Sequence, residues 1–284
     1  MTAVVPGRRT DQETDRRPPL PGVLRLARVR AAMELRVFVR NRASLIFTIG
    51  FPVLLLLVLG SILRQSLGIP GVTMQQVVVA GLIPVGVASV SFNGLGITMA
   101  IERDNGSVRR IGATPMPRSA YFLGKVVLVL VTGVVETIIL VGLAVLLFGL
   151  RLPDQLMVWA RMGWVLGLGA VGCSLLAIAY SWFIPNARSA PALVTPVFVV
   201  LQFISGVFFP FSMLPGWMQQ VAALFPLKWM VQGMESALLP DAYQQATPTG
   251  SWEIGRTALI LGLWCVIGLV LCLATFRWRD PKVR

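Results

Sequence analysis

Apolar residues in this chain are gathered in six long stretches, which are separated by shorter polar or proline-containing segments. The hydrocarbon core of a bilayer is about 30 Å thick, and an α-helix needs roughly 20 mainly apolar residues to cross it. Each stretch reaches about that length with few or no charges. The pattern therefore predicts an all-α integral membrane fold with a transmembrane domain at 44–276 and spans at about 45–63, 76–100, 121–148, 156–183, 191–211 and 254–276.

The chain before the first span is different in character. Residues 1–21 mix Arg, Asp, Glu and Pro with few bulky apolar residues, which predicts a disordered tail. Residues 22–43 have a helical period with arginines on one side, which is typical of an amphipathic helix at a membrane interface. Arg30 and Glu34 interrupt the apolar side as an i,i+4 pair, so a plain solvated helix is the alternative. The apolar side consists of Val23, Leu26, Met33, Val37 and Phe38.

The segment at 212–253, after the fifth span, is too long for a simple turn. Four prolines divide it into apolar pieces that are too short to cross a bilayer, and tryptophans suit a membrane interface. The pattern predicts short re-entrant or outer-face helices between the fifth and sixth spans.

Composition and charge narrow the class of protein. The chain is 56% hydrophobic and 13% charged, with a mean hydropathy of +0.77, which excludes a soluble domain. The net charge is +13, and a basic excess in a membrane protein marks the loops that face the cytoplasm. Cytoplasmic termini, including a tail at 277–284, place most of the 25 Lys and Arg residues on that side. We therefore expect a multi-pass protein of the plasma membrane that contacts lipid and no nucleic acid.

Candidate chemistry is sparse. The sequence has no histidine, and its three cysteines lie in apolar runs, so neither a disulfide framework nor a zinc site is expected. Without a Ser-His or Cys-His pair or clustered carboxylates, we predict no catalytic or metal site. No G-x-x-x-x-G-K-[ST] loop occurs, so any ATP hydrolysis requires a separate chain.

A dense polar segment at 102–118 separates the second and third spans. Such an element, fixed at both ends, can pass force from a cytoplasmic partner into two helices, although an ordinary positive-inside loop has the same composition. Its sequence resembles the ABC-2 family of ABC-transporter permeases, which show E-R-(E/D)-x-G-(T/S), then Leu or Ile, then Pro, and G-K at the next span. The matching residues are Glu102, Arg103, Asp104, Gly106, Ser107, Ile111, Pro115, Gly124 and Lys125.

A second match follows the fifth span. The segment at 205–229 is similar to the family's S-G-x-x-x-P, L-P-x-W and P-L-x-(W/Y) run. The resemblance covers about 22–280, and daunorubicin-resistance-like drug exporters are the most similar in length and loop pattern. The motif residues of this outer segment are Gly206, Pro210, Pro215, Trp217 and Pro226.

The resemblance implies a non-catalytic permease subunit. It would pair with a second permease, as a homodimer, and with two copies of a cytoplasmic ABC ATPase that binds ATP and Mg. The implied function is export of a hydrophobic or amphipathic drug or lipid-like compound, with lipid or polysaccharide export as the alternative. The segment at 102–118 would be the coupling helix, and its implied contacts are Glu102, Arg103, Asp104, Gly106, Ser107, Arg109, Arg110 and Pro115.

Glu136 is the ionisable residue that lies deepest in a predicted span. An intramembrane carboxylate costs about 3 kcal/mol, so we expect it to face protein or a wet cavity. Two interpretations stay open: it lines the translocation path and attracts a cationic substrate, or it is a protonated acid that bonds a neighbouring helix. A proton-coupled secondary transporter that uses Glu136 is a further alternative. Other polar residues predicted for the path are Asn93, Gln202 and Ser205.

Overall fold

A computed structural model of the protein describes residues 22–150 and 152–276, and the regular structure in these ranges is helical. This confirms the predicted all-α fold, while the predicted tails at 1–21 and 277–284 lie outside the described residues. The α-helices are α1 (Val23–Arg40), α2 (Arg42–Ile62), α3 (Met74–Ala88), α4 (Leu95–Asp104), α5 (Ser107–Gly112), α6 (Arg118–Phe148), α7 (Leu156–Ser181), α8 (Ala190–Ile204), α9 (Gly216–Ala223), α10 (Pro226–Leu238) and α11 (Ile254–Thr275).

Six helical segments of the described chain are long and apolar enough to cross a membrane. Several boundaries differ from the prediction by one to four residues, and the end of the fifth span differs by seven. The second span continues to Asp104 because the helix carries its polar last turn beyond the apolar run. The fifth ends at Ile204 because Gly206 adopts a left-handed φ of +81°, which breaks the helix before 211. The segments are Ser44–Ile62, Met74–Asp104, Arg118–Phe148, Leu156–Ser181, Ala187–Ile204 and Ile254–Thr275.

The second span is one composite helix made of α3, a π-helical segment at Ser89–Gly94 and α4. It begins with a capping box in which the Thr73 hydroxyl accepts from the Gln76 amide and the Gln76 side chain accepts from the Thr73 amide. Pro84 lies inside α3, where the buried neighbours of the helix stabilise the interruption. Because the composite is continuous, it connects the centre of the bundle to the polar segment after Asp104.

The core of the bundle lies around α3 and α7. Helix α3 is buried on all sides, by α2, α6 and α10, and α7 packs along α11 and α10. By contrast, α2, α8 and α11 each bury only a minor share of their surface. Their remaining apolar faces are exposed, as expected for helices whose outer surface meets lipid rather than water.

Helix α1 packs along α6 through a face that its apolar pattern does not predict. The buried residues are Ala27, Ala31 and Glu34, while Val37 of the predicted apolar side is exposed. Gly124 of α6 makes the contact possible, because a Cβ at that position would lie 2.9 Å from the Cβ of an α1 arginine. The small side chains bring α1 close, and the exposed apolar residues stay available for a membrane surface.

The segment at 212–253 contains two short α-helices, α9 and α10, as predicted. Helix α10 is buried along almost its whole length, between α3, α7 and α11. Gly169 of α7 packs against Met230, and Gly233 packs against Val165. These glycines remove side-chain bulk where α10 and α7 meet, so a helix too short to span is still held in the core.

We expect Gly81→Ala to destabilise the protein by about 1–3 kcal/mol, since overpacking forces backbone shifts. A Cβ at Gly81 would lie 2.6 Å from the carbonyl oxygen and 2.9 Å from the Cα of Val207, both of them backbone atoms. Gly142→Ala is the matched control, because no atom lies within 4 Å of its Cβ position. Thermal unfolding in lipid nanodiscs measures both. An unchanged thermal stability of Gly81→Ala would contradict the close approach of α3 to the segment after α8.

Candidate functional site

Charged side chains from three helices meet where α4 ends and α6 begins. Arg30 and Glu34 come from α1, Glu102 from α4 and Lys125 from α6. The Lys125 Nζ atom lies 2.5 Å from Glu102 Oε1 and 2.8 Å from Glu34 Oε1. Arg30 forms an ion pair with Glu34, and its Nη2 atom lies 3.7 Å from Glu102 Oε2. We call these four residues the ion-pair cluster.

The ion-pair cluster is buried and electrically balanced. Lys125 is fully buried and Glu34 is 7% exposed, and an unpaired ion in such surroundings costs several kcal/mol. The cluster meets this requirement with two cations, Arg30 and Lys125, and two anions, Glu34 and Glu102. The Tyr121 hydroxyl donates to Glu102 Oε2 at 2.7 Å, and the Arg30 guanidinium lies 5.1 Å from the centre of the Tyr121 ring. The cluster joins α1, α4 and α6 into one unit.

Arg103 and Asp104, which follow Glu102 at the end of α4, bind the chain at and just after the end of α7. Arg103 Nη1 donates to the Ser181 carbonyl at 2.8 Å, and its Nη2 donates to the Ile184 carbonyl. The last carbonyls of a helix lack partners within it and favour a cation, so the arginine is well placed there. Asp104 Oδ2 accepts a hydrogen bond from the Ala187 amide at 3.0 Å.

These contacts involve the first part of the predicted coupling helix at 102–118. Its first three residues belong to the last turn of α4, and their side chains bind other parts of the same chain. The side chains of Glu102 and Arg103 are partly buried, and that of Asp104 is exposed. The element is also not one helix, because α5 covers only Ser107–Gly112.

Residues 105–115 form a tip beyond the ends of α4 and α6. The turn into α5 depends on Gly106, whose φ of +73° is left-handed and favours glycine. The Asn105 carboxamide oxygen accepts from the Ser107 amide at 3.0 Å and supports this turn. Val108 is buried against the helices and anchors the tip.

The exposed side of the tip is basic. Arg109 and Arg110 are both exposed, as is Pro115. Arg110 Nη2 donates to the Ser107 hydroxyl at 3.1 Å, which leaves the rest of its guanidinium open. Of the residues predicted to contact a partner, Asp104 is exposed as well.

Glu136, on α6, is buried away from the ion-pair cluster. Its side chain is fully enclosed, and neither carboxylate oxygen has a hydrogen-bond partner among the described residues. It packs so closely on Gly86 of α3 that a Cβ there would collide with the carboxylate. Close helix packing, rather than an open passage, surrounds this acid.

Among the described residues, the other polar residues predicted for a translocation path make no hydrogen bond to Glu136. The Thr195 hydroxyl donates to the Asn93 carboxamide oxygen at 3.0 Å, which joins the π-helical segment to α8. Gln202 is buried on the same helix, α8. The structure therefore connects Asn93 and α8.

The sequence analysis missed a row of polar residues on α10. Lys228, Gln232 and Glu235 are all buried, and Lys228 donates to Gln232. Ser205 meets this row at a cavity of about 20 Å³, large enough for one water. The available signal was the i, i+4, i+7 spacing, which places the three residues on one face.

The acid that precedes α11 completes this polar region. Arg256 Nη1 donates to Glu253 Oε1 at 2.9 Å, and Gln232 Nε2 donates to Glu253 Oε2 at 3.4 Å. Burial acts to raise the pKa of Glu253, but these hydrogen bonds outweigh it and the pKa is lowered. An ionised Glu253 therefore compensates the positive charge of Lys228 nearby.

The motif residues of the outer segment determine the local backbone conformation. Gly206 supplies the left-handed turn after α8, and Pro210 precedes a short 3₁₀ turn. Pro215 directly precedes α9, and Pro226 is the first residue of α10, where a missing amide hydrogen costs nothing. Trp217 is exposed, as expected for an interface residue.

We expect Glu136→Met to leave the free energy of unfolding unchanged or to raise it. The carboxylate has no hydrogen-bond partner to lose in the described part of the chain, and replacing an unsatisfied buried polar group by an apolar group of similar shape is close to neutral. Glu34→Met is the matched control, because it leaves the buried cations Arg30 and Lys125 to share the single carboxylate of Glu102 and should cost about 3–5 kcal/mol. Thermal unfolding of both variants in nanodiscs is the measurement. An equal loss in both would contradict the unpartnered state of Glu136.

A comparison with protein families gives one match. The family model described as ABC-2 type transporter matches residues 28–239, from α1 to the end of α10. A search of curated proteins found no match. The matched range contains the ion-pair cluster, the tip and the motif residues of the outer segment.

Proposed function

Because the chain belongs to the ABC-2 type transporter family, and is thus a permease subunit of an ABC transporter, we propose that it exports hydrophobic or amphipathic drug-like or lipid-like compounds across the plasma membrane. The family implies association with an ABC ATPase. We further propose two ATPase copies, which bind ATP and Mg, and a second, identical permease. The daunorubicin-resistance-like exporters are the subgroup we favour.

One observation carries this proposal: an exposed basic tip is held rigidly between two long apolar helices. Arg109 and Arg110 face outward, while the ion-pair cluster ties the helices on either side of the tip to α1. A partner that moves the tip would move α4 and α6 together. The hydrogen bonds from Arg103 to the carbonyls at and after the end of α7 would transmit the same movement to α7.

The orientation follows from this assignment. If the tip docks on the ATPase, the end of the bundle with the ion-pair cluster faces the cytoplasm, and the segment at 212–253 lies on the outer side. Both termini are then cytoplasmic, in agreement with the distribution of Lys and Arg. The exposed apolar face of α1 would rest on the inner surface of the membrane.

ATPase activity in lipid tests the proposal. The permease is co-expressed with its ATP-binding partner chain, copurified and reconstituted in nanodiscs. We expect a copurifying ATPase whose rate rises when an apolar compound is added. The matched control is the ATP-binding chain alone. No copurifying ATPase, together with transport that follows only a proton gradient, would contradict the proposal and favour a secondary transporter that uses Glu136.

A further inference from the structure

A partly enclosed cavity with aromatic walls lies inside the protomer, between the π-helical segment, α7, α8, the start of α10 and α11. Its volume is about 240 Å³. We call it the aromatic chamber, after the five ring-bearing residues that line it: Phe92, Tyr180, Phe198, Phe225 and Trp264. None of the residues predicted for a translocation path lines it, although Asn93 is adjacent to Phe92.

The chamber offers ring faces, and its hydroxyl and indole donors already have partners. The Tyr180 hydroxyl donates to the Leu193 carbonyl at 3.2 Å, and the Trp264 indole donates to the Leu224 carbonyl at 2.8 Å. No charged side chain is among the described residues that line the space. A charged ligand would lose its hydration there without compensation, so the chemistry selects an uncharged group.

The rings are arranged in pairs. Phe92 and Tyr180 have centroids 6.0 Å apart, and Phe225 and Trp264 are 6.5 Å apart with planes within 8° of parallel. Aromatic pairs gain about 0.5–1.5 kcal/mol beyond the burial of their area. A ligand with rings of its own therefore gains more from these walls than a saturated chain does.

A second cavity in the same protein supports this distinction. A groove of about 230 Å³ lies between α6 and α7, and Trp159 is the one aromatic residue that lines it. Its remaining lining is mainly aliphatic or glycine, including Gly163 and Gly167, whose Cβ positions meet no atom within 4 Å. The two spaces have nearly the same volume and different chemistry. An acyl chain fits either of them, whereas a ring system favours the aromatic chamber.

The size of the chamber limits the ligand. A closed apolar cavity of about 150 Å³ accommodates benzene, and sites for whole drug-sized ligands start at about 300 Å³. The chamber falls between these values. It therefore fits a group of one or two rings rather than an entire large molecule.

We propose that the aromatic chamber binds an uncharged, ring-containing apolar group of the transported compound; this inference rests on the proposed exporter function. The wall formed by α8 is the route of access. This helix buries only a single stripe of residues, contains Pro196, and is exposed on its other side. The Asn93–Thr195 hydrogen bond holds it against the π-helical segment.

Two valines on α8 provide a matched test. Val197 lines the chamber and is 38% exposed, whereas Val199 is 39% exposed and does not line it. The permease alone, in nanodiscs, is titrated with the uncharged two-ring-system dye N-phenyl-1-naphthylamine, and emission from empty nanodiscs is subtracted. We expect Val197→Trp to weaken binding about tenfold or more and Val199→Trp to leave it unchanged.

Two further variants test whether the loss of dye binding is specific to the aromatic chamber. Phe92→Leu removes a ring at similar volume and should also weaken binding, which covers the case that Val197→Trp fails to fold. Gly163→Leu fills the groove between α6 and α7 and should leave binding unchanged. Equal binding by both valine variants, or loss only in Gly163→Leu, would overturn the proposal and indicate a lipid-phase or groove ligand.

The binding experiment separates this inference from the proposed function. It uses neither ATP nor the ATPase, so it does not depend on coupling. An ATPase that is stimulated normally in Val197→Trp and Phe92→Leu, with unchanged dye binding, would overturn the inference alone. Absence of any ATPase partner would overturn the exporter function while leaving the binding contrast intact.

Discussion

Lys125→Met is expected to lower the free energy of unfolding by about 3–5 kcal/mol, the usual cost of removing one partner from a buried ion pair. Lys125 is fully buried and lies within 3 Å of carboxylate oxygens of both Glu34 and Glu102. Without its ammonium group, Arg30 alone would face two carboxylates. Methionine keeps most of the side-chain volume, so the loss reports charge rather than packing. Unfolding of the nanodisc-embedded protein, followed by heat or denaturant, measures it.

Two controls make this experiment specific. Arg109→Met removes an exposed cation close by and should change stability by less than about 0.5 kcal/mol. Adding Glu102→Gln to Lys125→Met restores the balance of charge, so part of the lost stability should return. Strictly additive effects of the two substitutions would show that the ion-pair cluster has no coupling energy.

The cluster also changes how a charge reversal at Glu102 is interpreted. The sequence motif suggests Glu102 as a contact for the ATPase. In the structure its carboxylate accepts from Tyr121 and pairs with Lys125. Glu102→Arg would place a third cation beside Arg30 and Lys125 and would disturb the fold itself. Loss of ATPase activity in that variant would not identify a docking contact.

The sequence predicted the spans well because their signal is local. A run of apolar residues the length of a bilayer crossing is visible without any knowledge of neighbouring helices. The ion-pair cluster is different, since Glu34, Glu102 and Lys125 are far apart in the chain. The pattern of α1 indicated only an apolar side that Arg30 and Glu34 interrupt. The partner that explains this interruption lies on α6, which the pattern of α1 cannot indicate.

Helix α10 shows a second limit of the sequence. Its length is too short for a span, so length and tryptophan content indicated a re-entrant or outer-face position. The structure buries it between three long helices, where glycines of α7 and α10 give it room. Burial of such a short helix depends on small residues in two separate segments. The aromatic chamber could not be found before this packing was known, whereas the spacing of Lys228, Gln232 and Glu235 could show only that they share one face of α10.

Reversing both charges of the tip, Arg109→Glu with Arg110→Glu, is expected to weaken binding of the ATPase about 100-fold, because like charges opposed across an interface cost several kcal/mol. Both side chains are exposed and neither belongs to the ion-pair cluster. The fold should therefore persist, and the copurified ATPase and its stimulated activity should be lost. Copurification, ATPase rate and thermal unfolding are measured on the same preparation.

Arg64→Glu is the control for position. Arg64 is an exposed arginine between α2 and α3, at the opposite end of the bundle from the tip, so the same change of charge should leave ATPase binding intact. The comparison also tests orientation, because the ATPase can dock at only one end. Loss of binding in Arg64→Glu with retention in the tip variant would place the segment at 212–253, rather than the tip, on the ATPase side. Retention in both would show that charge on the tip does not hold the partner, and docking would then have to rest on the apolar and proline residues near Pro115.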